Sequence, residues 1–280
     1  MVSLSPTRRF YVLEDAQSAL PRLSLDRIGS QECAELLELR GFVIVTGLGP
    51  RLERALADLA QLMKCFFEKA AVEVKEASTG SVYCNERGMP MYSLGYEFQK
   101  GVREAFRVAP AQFDETGWPD EELRAAWRSA LTPLRKIADA ALAAALRSGP
   151  LKRRDDDDHS IAYAFHYPNT PAFGGAHCND ASVLVAEHAD PSLVVVEPVS
   201  EVAGLEVYDP VGKVWVSVEA RCHAGTELVL FAGKALHAAT AGRVPACRHR
   251  VVKPNPAKPR HSIIYEQKYA EFFEAGQYSW

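Results

Sequence analysis

The apolar positions of this chain change their period near its middle. In the first half they recur every three or four residues, and in the second they come as short runs of β-branched and aromatic residues. "SQECAELLELR" begins with a capping Ser30 and ends at Gly41, after which "FVIVTG" reads as a strand. Leu52 to about Glu76 carries Leu52, Leu56, Leu59, Leu62, Met63, Phe66 and Phe67 on one face of a long helix. The polar stretch "STGSVYCNERGMPMYSLGYEFQKG" reads as loop containing a hairpin, and Glu121 to Leu146 is helical again. Pro133 is expected to kink or split that helix, because it lacks an N–H and crowds the preceding turn. "KRRDDDDH", Lys152 to His159, lacks the spaced ligands and Gly turn of a calcium loop and reads as solvated surface.

Beyond it come "IAYAFHY", "SVLVAEH", "SLVVVEPV", "LEVYD", "VWVSVE", "TELVLFAG", "CRHRVV" and "HSIIYEQ", with turn residues and no helix-length segment between them. Strands in such close succession form a sandwich or barrel, not a parallel sheet with helical crossovers. The expected fold is mainly β with a helical N-terminal half. Residues 1–150 form a helical region with one or two strands, packed on a β core of residues 151–280 as one structural unit.

Composition narrows the function. The 280 residues are 48% hydrophobic and 24% charged, enough for a sizeable core, and a net charge of −4 offers no attraction for nucleic acid or an anionic membrane. Six cysteines without a CxxC pair favour reduced thiols. The N-terminus lacks the apolar core of a secretory signal and no run is long enough to span a membrane, so a cytoplasmic location is expected. GxSxG, HExxH and phosphate-loop motifs are absent.

One short stretch carries chemistry. In "EHADPSLVVVEP", His188 and Asp190 are two residues apart ahead of an apolar run, and residues i and i+2 of a strand face the same side. Of the eight histidines, only His188 has a carboxylate at i+2. Two histidines and one carboxylate can bind Fe(II) on one face and leave the other open. A third ligand must come from a distant strand, and His249 in "CRHRVV" is the candidate. Zinc accepts the same donors. Arg260 and Ser262, one pleat period apart, form a fork and a hydroxyl suited to a carboxylate. His177 and Asp180 in "AHCND" are a rival pair, but i, i+3 spacing puts them on opposite faces of a strand.

His188-x-Asp190, His249 and Arg260-x-Ser262, in this order, resemble the motifs of the Fe(II)/2-oxoglutarate-dependent dioxygenases, specifically the isopenicillin-N-synthase-like branch. "FHYPNTP", "GLEVYDPVGKVWVSV", "GKALHAATAGRVPACRHRV" and "LRGFVIVTGLG" are similar to further stretches of that family. The resemblance implies a double-stranded β-helix (jelly-roll) core flanked by helices. It also implies metal ligands His188, Asp190 and His249, with Arg260, Ser262 and Tyr167 holding the far carboxylate of 2-oxoglutarate. The implied reaction takes dioxygen and a small molecule and releases succinate and CO2, most often with hydroxylation. Alternatives are a synthase-type iron oxidase that uses no 2-oxoglutarate, and a metal-binding relative acting as a sensor. Phe165, Leu48-Gly49 and Gly233-Lys234 depart from the family pattern, and none is an implied ligand. Candidate substrate contacts are Arg103 and Arg107 for an acidic group, Tyr92, Tyr96, Asn85 and Phe231 for the pocket wall, and His177 and Asn179 at its mouth. The prime substrate and the oligomeric state are not encoded in any of these motifs.

Overall fold

The computed structural model describes residues 19–85, 87–148, 157–169, 183–253 and 258–273. Strand β1 (Arg22–Ser24) leads to helix α1 (Gln31–Arg40), strand β2 (Phe42–Thr46), and helices α2 (Pro50–Lys69) and α3 (Val72–Ala77). Strands β3 (Thr79–Cys84), β4 (Pro90–Gln99) and β5 (Arg103–Val108) precede helix α4 (Glu121–Leu146). Then come β6 (Ile161–Tyr167), β7 (Val183–His188), β8 (Val194–Pro198), β9 (Leu205–Asp209), β10 (Val214–Ser217) and β11 (Leu228–Ala232). Helix α5 (Lys234–Ala239), β12 (His249–Val252) and β13 (Arg260–Glu266) complete the order.

The strands form two sheets, one of nine in the order β1-β2-β11-β8-β13-β6-β5-β4-β3 and one of four in the order β10-β9-β12-β7. From β6 to β13 the chain winds between them: β6, β8, β11 and β13 lie in the large sheet, and β7, β9, β10 and β12 in the small one. This is the double-stranded β-helix, and its eight strands are the eight β-rich runs of the sequence. Alternation along each strand divides the core in two. Outward residues such as Val194, Val196, Leu230, Ile263 and Tyr265 pack under α2 and α4 with Leu59, Met63, Trp127 and Leu134. Inward residues meet the small sheet in two clusters. Val195, Val229 and Phe231 join Leu205 and Val207, while Tyr163, Phe165 and Tyr167 join Leu184 and Val251.

Three expectations need correction. The N-terminal half contributes five strands, not one or two, because β3 to β5 extend the large sheet beyond β6 through a bulged hairpin of mixed polarity. The helix expected from Leu52 to Glu76 breaks at extended Ala70 and Ala71, where its apolar stripe runs out; α3 buries no residue. Conversely, α4 is not split at Pro133 and runs unbroken for 26 residues. Leu131, Leu134, Ile137 and Ala138 are buried on both sides of the proline, so packing outweighs the lost hydrogen bond.

Candidate metal centre

His188 ends β7 and His249 starts β12, and the two residues are paired directly across the antiparallel ladder. Asp190 follows at the start of the turn into β8. Its carbonyl accepts from Lys234 N–H at 2.8 Å, and the same turn is held by Gly233 N–H donating to Leu193 at 2.9 Å. A side chain at Gly233 would put its Cβ 2.1 Å from the Ser192 carbonyl oxygen and 2.9 Å from that of Asp190, so the turn can approach α5 only over glycine.

The three side chains offer donor atoms within 4.8 Å of one another. His188 Nε2 lies 3.4 Å from Asp190 Oδ1, and His249 Nε2 lies 3.6 Å from Asp190 Oδ2. In each histidine Nδ1 faces a backbone carbonyl, Ala186 at 2.8 Å and Cys247 at 3.3 Å. An Nδ1–H bonded in this way leaves the Nε2 lone pair directed at the centre, the arrangement that orients metal-ligating imidazoles. The two rings are tilted by 55°, so their lone pairs can converge on one ion. Burial pushes Asp190 up, but His249 and His188 outweigh it and hold its carboxyl below the ordinary value, in the ligating form. Burial likewise pushes His249 down, with Asp190 opposing. The donor set fits Fe(II).

A second cluster, Glu68, His166 and His261, meets the same distance limit on the outer face of the sheet. Its imidazoles are stacked 4.5 Å apart with planes only 4° from parallel, so their in-plane lone pairs do not meet. His166 is instead tied to Glu104 at 2.6 Å, a carboxyl that burial pushes up but that bonds from His166, Lys75 and Tyr96 hold down at about 2. This cluster is packing, not a metal site.

The inward face of β13 carries Arg260, Ser262 and Ile264 past the site. Arg260 is buried against two carboxyls: Nη2 contacts Glu219 Oε1 at 2.7 Å and Glu197 Oε1 at 3.2 Å, and Nε reaches Glu219 Oε2 at 3.3 Å. Glu219 is further fixed by the N–H groups of Gly204 and Leu205, each at 2.7 Å. Burial pushes Glu197 up to about 8; Arg260 opposes the shift and Glu219 reinforces it. The sequence gives no local sign of these glutamates. The Ser262 hydroxyl is buried without a hydrogen-bond partner among the described residues. The residue also borders a cavity of about 690 Å³ between α2 and β13, which none of the three candidate ligands lines. Tyr167 faces Arg260 across the ladder, and its hydroxyl accepts from Arg103 Nη1 at 2.9 Å.

The other candidates separate. The Phe231 ring sits 4.9 Å from that of His249 and walls the site. Tyr92 and Tyr163 share a hydrogen bond between their hydroxyls on the inward side. Arg107 is ion-paired with Glu97 and lies over the Tyr92 ring, so it is not available to an acidic ligand. Tyr96 does not line the site: it bonds Glu104 and packs on Phe66 at the helix side. Asn85 builds the β3–β4 turn, accepting from Arg87 and Met89 N–H groups, each at 3.0 Å. His177 and Asn179 lie outside the described residues. Sequence reasoning missed Glu266 and Lys268, which form an ion pair at 2.9 Å with Lys268 buried and Glu266 partly so. Burial raises the Glu266 carboxyl, Lys268 opposes, and nearby Asp190 adds to the rise. Their signal was present in the period-two sequence of inward residues from Arg260.

The family model of the 2OG-Fe(II) oxygenase superfamily matches residues 159–267. No curated protein matches the sequence. Among solved structures, the dioxygenase for auxin oxidation of rice is 20% identical, with 89% of this chain and 83% of that one covered and a TM-score of 0.69. Neurospora crassa T7H in complex with alpha-KG and thymine is 16% identical over 89% and 86% of the two chains, at TM-score 0.68. A 2OG-Fe(II) oxygenase family protein from Caulobacter crescentus is 22% identical over 90% and 88%, at TM-score 0.64. These likenesses carry the fold. The match to the 2OG-Fe(II) oxygenase superfamily model spans β6 to β13, the part of the chain that carries His188, Asp190 and His249.

Proposed function

We propose that this oxygenase holds Fe(II) with His188, Asp190 and His249 and hydroxylates a small molecule at the open face of the ion. The observation that carries the reading is the convergence of two oriented Nε2 atoms and one carboxylate at the paired ends of β7 and β12. Bound there, the iron with 2-oxoglutarate and dioxygen supplies an oxidant strong enough to cleave a C–H bond, with succinate and CO2 as co-products. The chain's own part is to orient and to enclose. Backbone carbonyls fix the tautomers of both histidines, and Phe231 closes the wall beside His249. Tyr163, Tyr92, Glu266 and Lys268 give a polar, buried surface near Asp190 on which substrate hydrogen bonds can form.

A small-molecule substrate suits the structural neighbours, one a dioxygenase for auxin oxidation and one a protein seen with thymine and alpha-KG. The 2-oxoglutarate carboxylate finds a receptive hydroxyl in Ser262 and in Tyr167, whereas Arg260 already faces two glutamates.

The test is anaerobic addition of Fe(II) and then 2-oxoglutarate, following the visible charge-transfer band of the keto-acid chelate. The band is expected in the native protein and absent in Asp190→Ala. A native protein that forms no band would overturn the reading, as would an Asp190→Ala variant that keeps it.

A further inference from the structure

Two guanidinium groups approach the Tyr167 side chain, and they differ in what already neutralises them. Arg260 has its Cζ 5.6 Å from the Tyr167 ring and meets Glu219 and Glu197. Glu219 cannot withdraw, because the Gly204 and Leu205 N–H groups hold it in place. Any further carboxylate brought to Arg260 would enter beside a fixed negative charge.

Arg103 presents the opposite case. Alternation along β5 puts it on the face of Ala105 and Ala109, which pack with Phe165, Tyr167, Leu184 and Val251 between the two sheets. Its Nε donates to the Gln99 amide oxygen at 2.8 Å and its Nη1 to the Tyr167 hydroxyl at 2.9 Å, both neutral groups. Its Cζ lies 3.8 Å over the Phe165 ring. Among the described residues no carboxylate pairs with it. Arg107, two residues on, lies on the same face but is spent on Glu97. A half-buried cation clamped by neutral partners, with no counter-ion from the described chain, is a site built for an anion from outside. The Tyr167 hydroxyl accepts from Arg103 and so keeps its own proton to donate to the same ligand.

We propose that Arg103, together with the Tyr167 hydroxyl, is the receptor for a ligand carboxylate in this site, in place of Arg260. The proposal rests on the Fe(II)/2-oxoglutarate reading above. A carboxylate can reach it from two sources, the far end of 2-oxoglutarate or an acidic prime substrate.

The test uses the full-length protein, native and as Arg103→Gln, Arg103→Lys and Tyr167→Phe. Binding is measured calorimetrically with Mn(II) in the metal site and by the charge-transfer band with Fe(II). Ligands are 2-oxoglutarate, 2-oxobutanoate (a keto acid without the far carboxylate), and phenylacetate against phenylacetamide. If the carboxylate is that of the cosubstrate, Arg103→Gln weakens 2-oxoglutarate by at least about tenfold, the loss of a charge-assisted pair. It leaves 2-oxobutanoate unchanged, and Arg103→Lys recovers part of the affinity. If it is that of the substrate, 2-oxoglutarate is unaffected, native protein prefers phenylacetate to its amide, and Arg103→Gln loses that preference. Should Arg103→Gln fail to fold, Tyr167→Phe removes one hydroxyl and is expected to weaken the same ligand selectively. Unchanged affinity for both carboxylates in the variants would overturn the proposal. A native protein without a charge-transfer band would instead fail the iron reading, while calorimetry with glutarate and phenylacetate still reads Arg103.

Discussion

Glu197 is a carboxyl that the fold keeps protonated near neutral pH, and that makes stability depend on pH in an unusual direction. Burial first, and Glu219 second, raise it from an ordinary value of 4.5 to about 8 against the pull of Arg260. A raised folded-state value means that the native chain binds the extra proton between these limits. Stability is therefore fully present below about 4.5 and is lost as pH rises through about 8. In Glu197→Gln this slope should flatten, with a higher melting temperature than the native protein at pH values above the upper limit and little difference at the lower one. Equal slopes in the two proteins, followed by thermal melting across the range, would show that Glu197 does not titrate there. None of this is legible in the sequence, where Glu197 is one polar residue in "VVVEP" and its partners Arg260 and Glu219 are contributed by other strands and turns. His188 and Asp190 were legible for the opposite reason. Their relation is local, two residues apart where a strand gives way to a turn, and needs no knowledge of what packs above it. Arg260 was legible as a fork for a carboxylate but not as an occupied one, since Glu197 is 63 residues away and Glu219 is 41.

At the scale of elements, the turn from β7 to β8 and the entry to α5 act as one piece. Gly233 lets them touch, and Lys234 N–H holds the Asp190 carbonyl. A Gly233→Ala substitution must push the turn away, since its Cβ would fall on the Ser192 carbonyl. Metal affinity is expected to drop by about 10- to 100-fold, the range seen when groups that support a ligand are disturbed, while the fold persists. Competition with a chromogenic chelator measures this; unchanged affinity would mean that Asp190 does not depend on the contact. The elements themselves were legible to different degrees. Strands β6 to β13 announce themselves through β-branched runs and turn residues. Strands β3 to β5 do not, because their exposed Val82, Met91 and Phe98 and their polar neighbours blur the alternation, and the bulge between β3 and β4 shifts its phase. The end of α2 was overrun for a simpler reason: Val72 and Val74 keep an apolar look in the sequence but are exposed.

Across the whole molecule, the large sheet is a platform with helices on one side and the small sheet on the other. The candidate ligands all belong to the small-sheet side: two to β7 and the turn after it, one to β12. An ion there ties two neighbouring strands that are distant in sequence, so metal binding is linked to folding. At about a hundredfold excess over its dissociation constant, Mn(II) should add about 2.7 kcal/mol, or roughly 5 to 10 °C in melting temperature for a chain of this size. The rise should vanish in His249→Ala, and a rise that persists there would place the ion elsewhere. Strand pairing between β7 and β12 also has a consequence in time. His249 pairs with His188 although strands β8 to β11 intervene in sequence, a contact of long sequence separation, and such contacts form slowly. A growing chain that has not yet released β12 can offer His188 and Asp190 but no third donor. The full donor set is therefore available only once β12 lies beside β7, and a chain cut short before that strand would keep two of the three candidate ligands and none of the centre's closure.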